Sequence, residues 1–201
     1  SSTSDVEKMM AQDQSLTSRV LKLVNSAYYA IPGGVSNLGR AVAYLGFDTV
    51  QQLVLSASVI DTLNTKNKKG KFDIGKFWQH SMGVAMAAET IAKFIKHKAH
   101  ADLFTCGLLH DLGKMALFII DTDQLDEISS VAIEKKMTMA QAEKETGLIS
   151  HTLLGQHLTK KWRLPAKISV VALYHHETDP AKRQNVSAEL HEMVDIVILA
   201  N

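Results

Sequence analysis

The sequence predicts an all-α fold arranged as two helical lobes. Apolar residues recur with helical spacing along most of the chain, and no run with the alternating spacing of a strand competes with them. Only three prolines interrupt the 201 residues, at positions 32, 165 and 180. Hydrophobic residues make up 46% of the chain and charged residues 21%, which is the composition of a globular protein able to bury a substantial core.

The N-terminal lobe is predicted to span residues 1–64. A capping box at Ser4 and Glu7 indicates a short first helix, and a Pro-Gly-Gly breaker ends the second. The polar, basic stretch 64–71 has almost no apolar residue, so we expect a solvated loop that separates the lobes. The later helices predicted in this lobe cover about 15–28, 37–45 and 48–63.

The C-terminal lobe is predicted to span residues 72–201. Asp73 can cap a long first helix, a capping box at Thr138 and Gln141 opens another, and Pro165 suits a helix start. The helices predicted here cover about 73–97, 100–110, 113–120, 122–136, 139–146, 149–161, 166–176 and 187–201.

Charge and cysteine content restrict the expected surroundings of the chain. The formal charge of +1 provides no net field to attract nucleic acid or an anionic membrane, so neither is an expected partner. We expect no apolar run long enough to span a bilayer, and no secretory signal opens the chain. Cys106 is the single cysteine and cannot form an internal disulfide. These features predict a soluble, cytoplasmic protein.

The nine histidines are distributed in a pattern. Helical spacing places His80 and His151 each on the apolar face of its own helix, so both are predicted to point into the core. The pair His110-Asp111 follows an apolar run, and we expect Gly113 to let the chain bend there. The pair His175-His176 ends another apolar helix in the same way. Four separate segments therefore direct histidine towards the interior.

Two interpretations of these histidines stay open on the residues alone. An inward histidine can simply hydrogen-bond within a core, and a domain of this kind would be purely structural. Four such segments with an adjacent carboxylate also suit a shared metal site, because buried polar groups need partners. Imidazole and carboxylate ligands bind Fe, Mn, Zn or Ni, and the spacing selects neither the metal nor whether one or two ions bind.

Several motifs in their order along the chain resemble the HD phosphohydrolase superfamily, and together they narrow the resemblance to the HDOD domain, a relative of HD-GYP domains. The likeness covers essentially the whole chain. The segments that carry it are LKLVNSAYY at 21–29, VSNLGRAVAYLG at 35–46, FWQHS at 77–81, GLLHDLGK at 107–114, GLISH at 147–151, WRLP at 162–165 and HH at 175–176.

The resemblance implies a metal centre. In active HD enzymes such residues hold a metal pair that activates water against a phosphate ester. Asp111 would help to hold the metals and take part in catalysis, and Lys114 would contact the substrate phosphate. The residues that the resemblance places at metal-ligand positions are His80, His110, Asp111, His151, His175, His176 and Asn201.

The chain departs from the active enzymes at three points. Asn201 stands where the superfamily has an aspartate, and Asp195 lies about 120° away around the helix. Lys76 replaces a glutamate found in some HD-GYP enzymes, and no Gly-Tyr-Pro motif follows Glu177. A neutral amide offsets two divalent cations less well than a carboxylate does, so the metal pair should be weakened.

The favoured interpretation is a regulatory module of bacterial signal transduction without robust hydrolase activity. Its expected partners are a signalling protein or a nucleotide or phosphate ligand. The alternative is a metal-dependent phosphohydrolase that acts on phosphate mono- or diesters.

Overall fold

A computed structural model of the chain describes residues 14–63 and 71–201, and in both ranges it contains helices and no β-strand. The prediction of an all-α fold is therefore confirmed. The Ser4–Glu7 capping box and nearly all of the polar loop at 64–71 lie outside the described residues. Contacts divide the chain into two compact units, residues 1–64 and 65–201.

The first unit contains α1 (Gln14–Val24), α2 (Leu38–Leu45) and α3 (Phe47–Thr62). Helix α1 ends about four residues earlier than the sequence predicts, and the side chain of Asn25, just after its last residue, pairs with the backbone of Val35. The amide nitrogen of Asn25 donates to the Val35 carbonyl at 2.8 Å, and the Val35 N–H donates to the Asn25 side-chain oxygen at 2.7 Å. This double hydrogen bond closes the loop between α1 and α2.

The second unit contains the remaining helices. These are α4 (Ile74–Phe94), α5 (His100–Leu109), α6 (Leu112–Ile120), α7 (Thr122–Glu134), α8 (Met139–Thr146), α9 (His151–Lys161), α10 (Ala166–Tyr174), a 3₁₀ turn (Pro180–Lys182) and α11 (Ala188–Ala200). Helix α4 ends before residue 97, since Lys96 has a φ of 58°, which no α-helix accommodates.

Helices α4 and α5 pack closely in the interior of this unit. A Cβ atom at Gly107 would lie 2.8 Å from the Cα of Ala85, so the missing side chain allows the two backbones to approach. Helix α8 is held by a separate apolar cluster, which α6, α7 and α8 form together. The buried members of that cluster are Leu117, Phe118, Leu125, Ile128 and Ala142.

Gly113 brings α6 onto α9. The chain turns at His110-Asp111, as expected, but Gly113 lies inside α6 and is not part of that turn. A Cβ atom at Gly113 would lie only 1.8 Å from the carbonyl oxygen of His151, and the backbone of Gly155 is close on the same side. Glycine here permits a backbone contact between the two helices.

The stretch His100–Ile120, which comprises α5 and α6, is long and apolar enough to cross a membrane by length and composition. The expectation that no run reaches that length is therefore wrong. Of its most apolar window, 83% is buried inside the protein, as in the core helices of packed domains. The turn at His110-Asp111 also interrupts it.

Candidate metal centre

Asp111 is buried at the turn between α5 and α6, and its two carboxylate oxygens face different groups of side chains. Oδ1 lies 3.3 Å from Nε2 of His151 and 3.3 Å from Nε2 of His175. Those two nitrogens are themselves 3.3 Å apart. His151, the first residue of α9, and His175, the residue after α10, thus form an equilateral triangle of ligand atoms with Asp111.

The other ring nitrogen of each histidine in this triangle faces a hydrogen-bond acceptor. Nδ1 of His151 lies 2.6 Å from Oε1 of Glu143, a buried residue of α8, and the His151 backbone N–H donates to the same oxygen at 3.1 Å. Nδ1 of His175 faces the carbonyls of Val171 and Ala172 at 3.2 and 3.1 Å. With Nδ1 engaged in both rings, Nε2 is the nitrogen that each ring turns towards Oδ1 of Asp111.

Three potential ligand atoms that face one another at 3.3 Å can share one cation, which would replace a proton where His151 carries one. A tetrahedral Zn²⁺ site with bonds of about 2.0–2.1 Å has ligand–ligand distances of about 3.3–3.4 Å, which matches the sides of the triangle. His176 can supply the fourth ligand, since its nitrogen lies within 4.8 Å of the other three ligand atoms. The residues present therefore fit a divalent metal ion on the Oδ1 side of Asp111.

The Oδ2 side of Asp111 differs in composition. Nε2 of His110 lies 3.3 Å from Oδ2 and is buried without a hydrogen-bond partner, while its Nδ1 lies 2.6 Å from the Gly107 carbonyl. The Nζ atom of Lys114 lies closest, 2.6 Å from Oδ2. A positive charge from the protein itself therefore already contacts this oxygen.

His80 completes the Oδ2 side from the surface. Its Nε2 lies 3.8 Å from Oδ2 of Asp111, and its side chain is 43% exposed, so the prediction that it points into the core is wrong. Phe94, about four turns further along the same side of α4, is 88% exposed. The helical period predicts only approximately which side of a helix is buried. In α4 the buried side is rotated around the helix axis from the predicted one. The buried residues of α4 are Phe77, Ser81, Val84, Ala85, Ala88, Glu89 and Ala92.

Asn201 lies beside this cluster at the end of α11. Burial lowers the pKa of His80, and the side-chain amide of Asn201 lies near enough to oppose that shift, so the position expected to carry the last ligand does reach the centre. Asp195 is engaged elsewhere: its Oδ1 accepts a hydrogen bond from Arg183 at 2.6 Å. Arg183 is buried and donates two further bonds to the Glu177 carbonyl, which fixes that ion pair. Asp195 therefore does not replace the missing carboxylate.

The environment keeps Asp111 ionised. Burial raises the pKa of this carboxyl, but the neighbouring His110 and Lys114 and its hydrogen bonds outweigh burial and hold the pKa well below the usual range. Burial lowers the pKa of His175 to about 4, so its ring is neutral near pH 7. In His151 burial also lowers the pKa, but hydrogen bonds to Asp111 and Glu143 raise it above its ordinary value.

Glu143 is the functional residue that the sequence analysis missed. It lies within a capping-box helix that reads as polar, and only the packing of α8 shows that its carboxylate is buried against His151. The sequence feature that could have indicated its burial is its position next to Ala142, on the inward face of α8 and eight residues before His151.

The sequence is similar to two curated proteins, each of which is much longer. It is 25% identical over 199 residues to an uncharacterized protein of Treponema pallidum, covering 98% of this chain and 37% of that protein. It is 26% identical over 145 residues to the cyclic di-GMP phosphodiesterase CdgJ of Vibrio cholerae, covering 72% of this chain and 32% of that protein. The matched stretch thus spans about a third of the length of each.

Solved structures share the fold over the whole chain. An HDOD domain protein of unknown function from Geobacter sulfurreducens has a TM-score of 0.85 at 30% identity, and the match covers 100% of this chain and 65% of that one. A candidate phosphohydrolase of Shewanella amazonensis has a TM-score of 0.77 at 23% identity, with coverage of 100% and 70%. The model of the HDOD domain family matches residues 1–178.

Proposed function

The chain belongs to the HDOD domain family, and we propose that it is a regulatory module of bacterial signal transduction that binds a divalent metal and lacks robust hydrolase activity. The observation that carries this proposal is the neutral amide of Asn201 beside His80, at the position where active HD enzymes would have a carboxylate. The nearest acid on the same helix, Asp195, is held by Arg183.

The residues at the centre support binding better than turnover. A bound divalent ion would act as a Lewis acid towards phosphate oxygens. Asp111, His151 and His175 are already positioned to hold such an ion, and Glu143 orients His151. On the Oδ2 side, however, Lys114 contacts the carboxylate of Asp111, which reduces its capacity to bind a phosphate. The module would therefore pass a signal to a partner protein, or respond to a nucleotide or phosphate ligand, through binding.

A metal-dependent phosphohydrolase is the second candidate. Asp111 and the histidines of both sides converge as such a reaction requires, and one similar protein is named a cyclic di-GMP phosphodiesterase. In this alternative Asp111 and Lys114 would be the catalytic residues, with Lys114 leaving Asp111 to contact the phosphate.

Metal analysis combined with hydrolysis assays distinguishes the two candidates. We expect the purified chain to retain Zn²⁺ or Mn²⁺ and to show no turnover of p-nitrophenyl phosphate, bis-p-nitrophenyl phosphate or cyclic di-GMP above an Asp111→Ala control. Turnover in the wild-type chain that Asp111→Ala abolishes would overturn the regulatory proposal in favour of the enzyme. A chain that holds no metal would refute the metal-binding part of the proposal.

A further inference from the structure

We propose that the centre binds one divalent cation, at Oδ1 of Asp111, and that the ammonium group of Lys114 occupies the second cation position at Oδ2. This inference rests on the metal binding proposed above and adds to it a stoichiometry, a location and a role for Lys114. It follows from the different surroundings of the two oxygens of one carboxylate.

The Oδ1 side is complete for a single ion. Its three ligand atoms, from Asp111, His151 and His175, are 3.3 Å apart in every pair, and His176 lies near enough to be the fourth. Both buried rings are held through Nδ1, so neither needs to rotate to bind the ion. The ammonium of Lys114, which contacts the same carboxylate, does so through Oδ2.

The Oδ2 side already holds a cation. Lys114 lies one turn after Asp111 on α6, its side chain is only 17% exposed, and its Nζ is at hydrogen-bond distance from Oδ2. A divalent ion at Oδ2 would have to displace this ammonium or share the oxygen with it, and like charges at that separation repel. Of the remaining ligands on this side, His110 lies 3.3 Å from Oδ2, but His80 is 3.8 Å away and half-exposed, so the set is less complete than the one at Oδ1.

Asn201 adds to the difference between the Oδ1 and Oδ2 sides of Asp111. It reaches the centre through His80, which faces Oδ2 and not Oδ1. The lost carboxylate therefore removes negative charge from the side where Lys114 supplies positive charge. One ammonium in place of a divalent ion suits a site that lacks one carboxylate.

Counting zinc ions per chain tests this assignment. Native mass spectrometry of the wild-type chain with excess Zn²⁺ should show one bound ion, and the double variant Lys114→Met/Asn201→Asp should show two. Lys167→Met is the matched control, because Lys167 contacts Asp102 at the same 2.6 Å in the same unit, away from the centre. This control should still bind one ion. Two ions in the wild-type chain, or one in the folded double variant, would overturn the proposal.

Single variants test the location of the ion, with chelator competition as the readout. His176→Ala should weaken Zn²⁺ binding at least about tenfold, because His176 belongs to the Oδ1 side. His80→Ala should change the affinity less than about twofold, because His80 faces Oδ2. Both residues are exposed, so both variants should fold, which circular dichroism can verify. An equal loss of affinity in the two variants would contradict the location at Oδ1.

Failure of this inference and failure of the regulatory proposal give different results. One ion combined with turnover of a phosphate ester would leave the stoichiometry standing and refute the regulatory proposal. Two ions without turnover would refute the stoichiometry and leave the regulatory proposal standing.

Discussion

Replacing Glu143 tests whether the second carboxylate of the centre controls metal binding through His151. One oxygen of Glu143 accepts both the Nδ1–H of His151, at 2.6 Å, and its backbone N–H, at 3.1 Å. Glu143→Gln keeps an oxygen in that place but removes the charge. Glu143→Ala removes the acceptor and leaves two buried N–H groups of His151 without a partner.

The two variants should therefore differ in degree. Partners that orient a metal-bound histidine contribute about 10- to 100-fold to metal affinity. We expect Glu143→Gln to lower the affinity for Zn²⁺ about tenfold, since the ring keeps its orientation but loses basicity. Glu143→Ala should lower it about 100-fold, which corresponds to about 2.7 kcal/mol. It should also destabilise the metal-free domain by about 1.5–3 kcal/mol, the contribution of a hydrogen bond to a charged group.

Chelator competition measures the affinities, and urea denaturation measures the stability of the metal-free form. Glu145→Gln is the control on the same helix, because Glu145 is exposed and contacts Lys135 instead of the centre. Both Glu143 variants binding Zn²⁺ as tightly as Glu145→Gln would refute the reasoning. The carboxylate of Glu143 would then serve packing alone.

Three further predictions concern packing, the thiol and pH. Gly113→Ala places a Cβ atom 1.8 Å from a backbone oxygen, so it should destabilise the domain by about 3 kcal/mol or more. Gly83→Ala is the control, because a Cβ atom there meets open space and should not destabilise the domain. The midpoints of urea denaturation compare the two variants. Burial raises the pKa of the Cys106 thiol, so Ellman's reagent should label it only after unfolding, and rapid labelling of the folded chain would contradict its burial. Because the pKa of His151 is raised, Zn²⁺ must displace a proton from that ring at a pH below this pKa. Zn²⁺ affinity should therefore rise by up to about tenfold per pH unit until the pH passes that pKa, and an affinity independent of pH across this range would contradict the proton displacement.

Much of the fold followed from local patterns in the sequence. Apolar periodicity and capping residues act over a few neighbouring positions, so they place helices such as α8 and α9 within a few residues. The end of α1 was not predicted because the side chain of Asn25 hydrogen-bonds the backbone of Val35, ten residues away. Local propensity contains no information about that contact.

The centre was predictable in its members and not in its details. The order of the motifs predicted that Asp111 and His151 lie close together. In the structure Oδ1 of Asp111 lies 3.3 Å from Nε2 of His151. Glu143 was missed since its burial depends on how α8 packs against other helices. The contact of Lys114 with Oδ2 and the exposure of His80 depend on side-chain directions, which a helical period of 100° per residue cannot resolve.

The contact between α6 and α9 at Gly113 and Gly155 also determines how the centre should respond to change elsewhere. Main chain touches main chain there, so the backbone contact helps to set the separation of Asp111 from His151. Conservative substitutions in the interior should therefore lower the thermal stability of the domain before they change the distance between Asp111 and His151.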